Sequence, residues 1–141
     1  MRNPERVLLL DTHVWIWLMG REGEMKPSAI RVMEEAAYHG LVRVSAISVW
    51  EVAMLEVKGR IRLSKDCLSW VNDALRAPGI ALIPLTPEIA VESSRLPGTF
   101  HGDPADRILV ATARRQGAIL LTRDDRILAY GKARHLSVMA V

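Results

Sequence analysis

The sequence contains few of the residues that form covalent or metal cross-links. It has one cysteine, Cys67, and four histidines, and the histidines at positions 13, 39, 101 and 135 form no pair at helical or zinc-finger spacing. This composition excludes an internal disulfide and a cysteine-based zinc cluster. The single free thiol also fits a reducing compartment.

Long hydrophobic runs are missing as well. The first apolar runs, at residues 7–10 and 14–19, are far too short to cross a bilayer, and neither has the form of a secretory signal. No glycine-rich loop follows the first run, which excludes a P-loop or dinucleotide-binding site. We therefore expect a soluble, cytoplasmic protein without a membrane partner.

What the chain does contain is typical of a globular protein. Of its 141 residues, 50% are hydrophobic and 25% are charged, which is enough apolar material for one domain spanning residues 1–141. The formal net charge is +3. This mild basicity does not by itself indicate nucleic-acid binding.

Short apolar runs alternate with amphipathic segments along the chain. The runs predict strands at residues 7–10, 41–45, 80–85, 118–121 and 136–141. Helical patterns cover residues 12–19, 27–39, 48–58, 66–76, 87–95, 103–116 and 124–130, with a polar loop at 20–26. This alternation predicts an α/β fold, in which helices cover both faces of a central parallel sheet of four to five strands.

Oxygen-bearing side chains follow the predicted strands. Ligands of such sheets bind at the carboxyl ends of the strands, so these positions are the candidates for chemistry. They are Asp11 after the first strand, Ser45, Ser48 and Glu51 after the second, Asp103 and Asp106 in the helix before the fourth, and Thr122, Asp124 and Asp125 after it. We expect them to converge at one edge of the sheet.

Each of these acids also has a purely structural interpretation at a helix start. Asp11 and Asp103 have the position of N-caps, and Ser48 with Glu51 has the spacing of a capping box. The remaining acids fall near helix starts, where negative charge interacts favourably with the helix dipole: Asp106, Asp124 and Asp125.

The helical spacing indicates more than capping for two of the acids. Asp106 shares an apolar stripe with Leu109 and Val110, and Glu51 shares one with Met54. A carboxylate on an apolar face points toward the sheet, where it needs a partner of opposite charge. Carboxylate oxygens are the ligands that Mg²⁺ prefers, and neighbouring hydroxyls could assist them.

Arginines lie next to two of the acids. Arg107 follows Asp106, and Arg123 precedes Asp124. An acidic metal centre bordered by arginine suits a phosphodiester, because the metal engages the scissile phosphate and the arginines bind its neighbours. The alternative for both arginines is a solvated helix face.

In these segments the sequence resembles PIN-domain proteins, and specifically the VapC toxins of bacterial type II toxin–antitoxin systems. The resemblance spans almost the whole chain. It rests on segments that occur in family order: Leu10-Asp11-Thr12-His13 with Trp17, Ser45-x-x-Ser48-x-Trp50-Glu51, Asp103-Pro104-x-Asp106-Arg107 running into Ala111-Thr112-Ala113, and Leu121-Thr122-x-Asp124.

The resemblance implies a PIN-like three-layer sandwich and an endoribonuclease that depends on Mg²⁺ or Mn²⁺. It implies attack by water on the phosphodiester, which leaves a 5′-phosphate and a 3′-hydroxyl. The catalytic and metal-binding acids of the family map onto Asp11, Glu51, Asp106 and Asp124. We add auxiliary roles for Asp103, Thr122, Ser48 and Asp125, and substrate binding by Arg107 and Arg123.

The resemblance also implies three partners: an RNA substrate, a VapB-like antitoxin and a second copy in a homodimer. The candidate surfaces for the antitoxin are the Trp15/Trp17 segment and the amphipathic helices before Ser45 and after Gly59. Packing nevertheless favours a core position for the tryptophans, with an apolar stripe formed by Ile47, Trp50, Met54 and Val57. We expect His13 and His101 to be structural.

Other interpretations stay open beside this one. A non-catalytic module that binds RNA or protein would keep the fold and use the acids only as caps. A DNA-directed nuclease would use the same acids on another substrate. A phospho-accepting receiver domain is excluded, because no second acid follows Asp11 and no lysine follows the last long strand.

Overall fold

The computed structural model describes residues 6–20, 23 and 25–141 of the chain. Its five strands are β1 (Leu8–Leu10), β2 (Val42–Ser45), β3 (Ile80–Ile83), β4 (Ile119–Thr122) and β5 (Val138–Ala140). The helices are α1 (Thr12–Gly20), α2 (Pro27–Tyr38), α3 (Ala46–Val57), α4 (Cys67–Leu75), α5 (Pro87–Ser93), α6 (Pro104–Gln116) and α7 (Asp125–Lys132). Of the polar loop predicted over residues 20–26, positions 21, 22 and 24 lie outside the described residues.

All strand pairs are parallel, and the strand order is β3-β2-β1-β4-β5. Helices cover both faces of this sheet. On one face Leu8 and Leu10 pack in a core with Trp15 and other residues of α1, α2 and α4. On the other face Leu9 packs with Leu109 of α6 and with residues of α5 and α7. The predicted three-layer α/β sandwich with a parallel sheet is therefore confirmed.

The order of the strands determines where a ligand can bind. The chain adds β2 and β3 on one side of β1, and β4 and β5 on the other side. The connections leaving β1 and β4 therefore diverge and leave a crevice at the carboxyl ends of these two strands. The register pairs Leu10 with Leu121, so Asp11 and Thr122 follow at the mouth of this crevice.

Helix α3 differs from the prediction in its start and in its buried face. It begins at Ala46 because the Ser45 hydroxyl accepts a hydrogen bond from Ile47 N at 3.1 Å. Ser48 therefore lies inside the helix, and the capping box of Ser48 with Glu51 was wrong. The buried face consists of Ser48, Val52 and Leu55.

The predicted core position of Trp50 was also wrong. Its side chain is 56% exposed, and Val57 on the same predicted stripe is 84% exposed. Trp15, in contrast, is fully buried and meets Trp70 edge-on, with ring centroids 5.1 Å apart. Within the described residues, every helix is too short or too polar to span a bilayer.

Candidate active site at the carboxyl end of the sheet

Asp11 is held at the end of β1 by hydrogen bonds to both of its oxygens. Its Oδ2 accepts from the Thr122 hydroxyl at 2.7 Å, and its Oδ1 accepts from Thr12 N at 2.7 Å. Burial raises the pKa of Asp11, and these two hydrogen bonds partly oppose that effect. Thr122, at the end of the adjacent β4, is fully buried, and its predicted auxiliary role stays a prediction.

Thr12 connects the end of β1 to Glu51 on α3. Its hydroxyl donates to Glu51 Oε1 at 2.5 Å and lies 2.8 Å from Ser48 Oγ. Both hydroxyl-bearing residues are buried. Burial raises the pKa of Glu51, and the charge of Asp11 raises it further. Sequence reasoning did not assign a role to Thr12; its hydroxyl directly after Asp11 at a strand end was the available signal.

Asp103 and Asp106 occupy the first turn of α6. Asp103 is the N-cap, and its Oδ1 accepts from Asp106 N at 2.8 Å, with Pro104 opening the helix as predicted. Asp106 is half-buried. Burial raises its pKa to about 7, and the negative charges of four neighbours add to the rise: Asp103, Asp11, Asp124 and Glu51. The predicted acids therefore converge closely enough to resist ionising together.

Gly102 makes room for Asp106 at the start of this helix. A Cβ atom at position 102 would lie 2.9 Å from Asp106 Cβ and 2.3 Å from Phe100 Cε2. Both distances are shorter than real Cβ contacts. The position of the Asp106 side chain thus depends on the absence of a side chain at Gly102.

Asp124 and Asp125 are distinguished by the start of α7. Asp124 is the N-cap, and its Oδ1 accepts from Arg126 N at 2.8 Å and Ile127 N at 3.2 Å. Its charge contributes to the raised pKa of both Asp11 and Asp106. Asp125 is exposed in the first turn of the helix.

The two arginines beside the acids have defined contacts with the protein. Arg107 is half-buried and donates to Ser93 O and Phe100 O, each at 2.8 Å. This ties the segment before α6 to the helix, and substrate binding by Arg107 stays a prediction. Arg123 is exposed; its guanidinium lies 4.6 Å from the Trp17 ring centroid, and its Nε donates to Val141 O at 3.1 Å.

The two histidines near the site are both exposed. The His13 ring lies 5.9 Å from the ring of Trp17, and its charge lowers the pKa of Asp11. His101 belongs to the short segment that precedes α6. Their structural assignment stays a prediction.

The donor set of the site fits a hard divalent cation. Its members are carboxylates that repel one another, and the ion pairs found in the described chain use other acids, Asp73 and Glu92. As their side chains stand, no three described His, Cys, Asp or Glu residues are arranged to hold a metal ion.

Comparison with known proteins places this chain in a family. The model of the PIN domain matches residues 8–133. The chain is 34% identical over 131 residues to Ribonuclease VapC22 of Mycobacterium tuberculosis, which covers 93% of this chain and 97% of that protein.

Solved structures show the same fold at low sequence identity. The chain is similar to VapBC2 from Rickettsia felis bound to a promoter DNA fragment, with a TM-score of 0.68, 14% identity, and 95% and 98% of the two chains covered. It is also similar to FitAcB from Neisseria gonorrhoeae, with a TM-score of 0.63, 18% identity, and 94% and 96% covered. From the family match and the identity to a ribonuclease relative, this chain belongs to the PIN-domain family.

Proposed function

We propose that this protein is a VapC-like toxin, a metal-dependent endoribonuclease that acts in the cytoplasm as a single domain over residues 1–141. The observation that carries the proposal is the acidic cluster at the carboxyl ends of β1 and β4, in which burial, together with the charges of the neighbouring carboxylates, raises the pKa of Asp106 to about 7. The name of the relative, Ribonuclease VapC22, supports RNA as the substrate.

In this proposal Asp11, Glu51, Asp106 and Asp124 hold Mg²⁺, or Mn²⁺ in its place. When bound, the ion supplies activation of an attacking water and neutralises charge that builds on the phosphate oxygens. Asp103 adds negative charge beside them from the N-cap of α6. Asp125, also predicted as auxiliary, is left out of the proposed site, because it is exposed and Asp124 makes the N-cap contacts of α7.

The other side chains of the site orient these acids. Thr122 and the backbone N–H of Thr12 fix the two oxygens of Asp11, while the Thr12 hydroxyl fixes Glu51. Ser48 supports that hydroxyl from inside α3. Such supporting hydrogen bonds set the direction of a metal-binding carboxylate and its affinity.

The reaction is a hydrolysis in which the oxygen of water attacks phosphorus. The bond to the 3′-oxygen breaks, a proton ends on that oxygen, and the fragments carry a 5′-phosphate and a 3′-hydroxyl. Arg123 is the candidate for a contact with a neighbouring phosphate. Arg107 acts first as a positioning residue, because it ties the segment before α6 through Ser93 O and Phe100 O.

A VapB-like antitoxin is the proposed protein partner. The support is that several similar structures are complexes of the VapBC and FitAB type. Of the surfaces predicted for it, Trp15 is buried and Trp17 is half-buried beside Arg123. The homodimer stays a prediction.

Cleavage of total cellular RNA by purified, antitoxin-free protein tests the proposal. We expect discrete fragments with 5′-phosphates in Mg²⁺, and their loss both with EDTA and in Asp11→Asn. Asp125→Asn is the matched control, because it removes an exposed acid from the same end of the sheet. Absence of cleavage by folded wild type with metal supplied would contradict the proposal, and cleavage of DNA alone would assign a DNA-directed nuclease.

A thermal shift tests the metal without measuring activity. An ion that binds only the folded protein raises Tm with its concentration. We expect Mg²⁺ to raise the Tm of wild type and of Asp125→Asn, and to raise that of Asp11→Asn much less. Equal shifts in all three proteins would remove Asp11 from the metal site.

A further inference from the structure

Trp50 borders a groove beside the acidic cluster. The groove has a volume of about 320 Å³ and lies between α3 and the start of α6. Its lining includes the acids Glu51 and Asp103 and the apolar side chain of Met54. Trp50 is 56% exposed, although tryptophan is usually largely buried. The inner face of α3 is filled by other residues, so packing does not require an indole here.

Cations also line this groove. Lys58 and Arg60, both exposed, line it just beyond the end of α3. No ion pair engages either side chain within the described part of the chain. Glu51 and Lys58 are separated by seven helical positions, or about 10 Å along the helix axis. One groove therefore joins the acids, an open aromatic face and two cations.

An aromatic face beside cations is the arrangement that binds single-stranded nucleic acid. Bases stack on the ring whatever their sequence, and the cations follow the phosphate backbone. We propose that this groove is a subsite for single-stranded RNA next to the scissile phosphate, with a base stacked on Trp50 and a phosphate between Lys58 and Arg60. This inference rests on the proposed function and names where its substrate lies.

The charges of the groove favour RNA over a protein segment as its occupant. An apolar helix that covered Trp50 and Met54 would not use the positive charge of Lys58 and Arg60. An RNA strand uses both features, and its next phosphate reaches the acids of the groove, where the proposed metal supplies the compensating charge.

Binding of a short, fluorescently labelled single-stranded RNA to protein that also carries Asp11→Asn tests the subsite without cleavage. We expect Trp50→Ala to weaken binding about tenfold, the low to middle range for loss of one stacked base. Trp50→Phe restores most of the affinity because a ring remains. Tyr38→Ala is the matched control: it removes an aromatic side chain that is 87% exposed on α2, and we expect no change.

The salt dependence of binding tests the cations. For single-stranded RNA, removing one protein–phosphate interaction lowers the slope of log K against log salt by about 0.7. We expect this decrease in Lys58→Ala and in Arg60→Ala. Arg31→Ala, which removes an exposed cation from α2, leaves the slope unchanged. In protein with Asp11 intact, Trp50→Ala raises KM for RNA with little change in kcat.

The outcomes separate this inference from the proposed function. RNA affinity and KM that are unchanged in Trp50→Ala, in a wild type that cleaves RNA, overturn the subsite alone. A wild type that neither binds nor cleaves RNA overturns both. Unchanged RNA binding together with loss of antitoxin binding in Trp50→Ala would assign the groove to a protein partner and overturn the RNA subsite.

Discussion

Each end of the sheet carries a cluster of charged side chains, arginines at the amino end and acids at the carboxyl end. The two clusters differ in how far contacts within the protein compensate their charge. At the amino end, a groove of about 820 Å³ is lined by four arginines, Arg6, Arg114, Arg115 and Arg134. Arg6 donates to Gly117 O at 3.1 and 3.3 Å, and Arg114 donates to His135 O. Glu92 pairs with Arg114 and Arg115 at 3.5 and 3.6 Å.

These contacts give the arginines of the amino end a structural role. Arg114 and Arg115 lie in the last turn of α6, where positive charge interacts favourably with the helix dipole. The acids of the carboxyl end receive hydrogen bonds from hydroxyls and backbone N–H groups. Burial, together with the charges of its neighbours, raises the pKa of Asp106 to about 7. A like-charge cluster therefore indicates function where the fold leaves it uncompensated.

The largest effects are expected in Asp106→Asn, in which stability should rise while RNA cleavage falls. This change removes a charge that burial and four acidic neighbours oppose, so we expect the folded protein to gain about 1–2 kcal/mol of stability at pH 8. Cleavage of RNA should fall more than about 100-fold, because a proposed metal ligand is lost. Measurement of Tm and cleavage in the same preparation checks both.

Asp125→Asn is the control for the gain in stability and the loss of cleavage. We expect its cleavage and its Tm to stay near those of wild type. Lower stability of Asp106→Asn at pH 8 would contradict the view that the cluster is destabilised by its own charge.

Gly102→Ala tests how closely the site depends on packing. The added Cβ would lie 2.9 Å from Asp106 Cβ and 2.3 Å from Phe100 Cε2. We expect a loss of about 1–3 kcal/mol of stability from overpacking and a fall in cleavage of about tenfold or more from displacement of Asp106.

The matched control for this change is Gly117→Ala at the amino end. Gly117 has φ 60° and open space around its missing Cβ, so an alanine there costs about 1 kcal/mol of stability through backbone strain alone. Its cleavage should stay at the wild-type level. Equal cleavage by Gly102→Ala and Gly117→Ala would show that cleavage tolerates the displacement of Asp106 by the added Cβ.

The pH dependence of stability tests the raised pKa of Asp106 at the carboxyl end. The folded protein holds the Asp106 proton up to about pH 7, whereas the unfolded chain releases it near 3.8. Unfolding therefore releases a proton in this window, and the free energy of unfolding falls as pH rises through it. Urea denaturation between about pH 5 and pH 8 should show a steeper fall in wild type than in Asp106→Asn. Parallel profiles would contradict the raised pKa.

The smallest effect is expected from Glu92→Gln at the amino end. The ion pairs of Glu92 with Arg114 and Arg115 involve partly exposed side chains, so their loss should cost less than about 1 kcal/mol. RNA cleavage should not change, since this groove lies at the opposite end of the sheet. A fall in cleavage in this variant would mean that the amino end also serves the substrate.

Much of this arrangement was predictable because the signals are local. Apolar runs bounded by Gly and Pro gave the strands and helices in their observed order, with ends shifted by a few residues at most. In a parallel sheet the carboxyl ends of the strands meet at one edge, so the acids after β1 and β4 were expected together. The N-cap at Asp103 followed from Pro104 in the same way.

The exposure of Trp50 was not predictable, because α3 is apolar on nearly every side. Periodicity then cannot say which face is buried. In the structure the buried face is the one that carries Ser48, whose hydroxyl contacts the Thr12 hydroxyl of α1. The same limit applies to Arg107, since its acceptors Ser93 O and Phe100 O become its neighbours only after folding.

Asp103 and Asp124 each combine two chemical requirements in one side chain. One oxygen completes the start of α6 or α7, and the negative charge belongs to the acidic cluster. Asparagine meets the first requirement, since it caps helices as well as aspartate does, but it lacks the charge. Glutamate keeps the charge on a longer stem that is not among the preferred caps. A library of substitutions at either position should therefore return asparagine variants that fold but cleave RNA less than wild type, and only aspartate should satisfy folding and catalysis together.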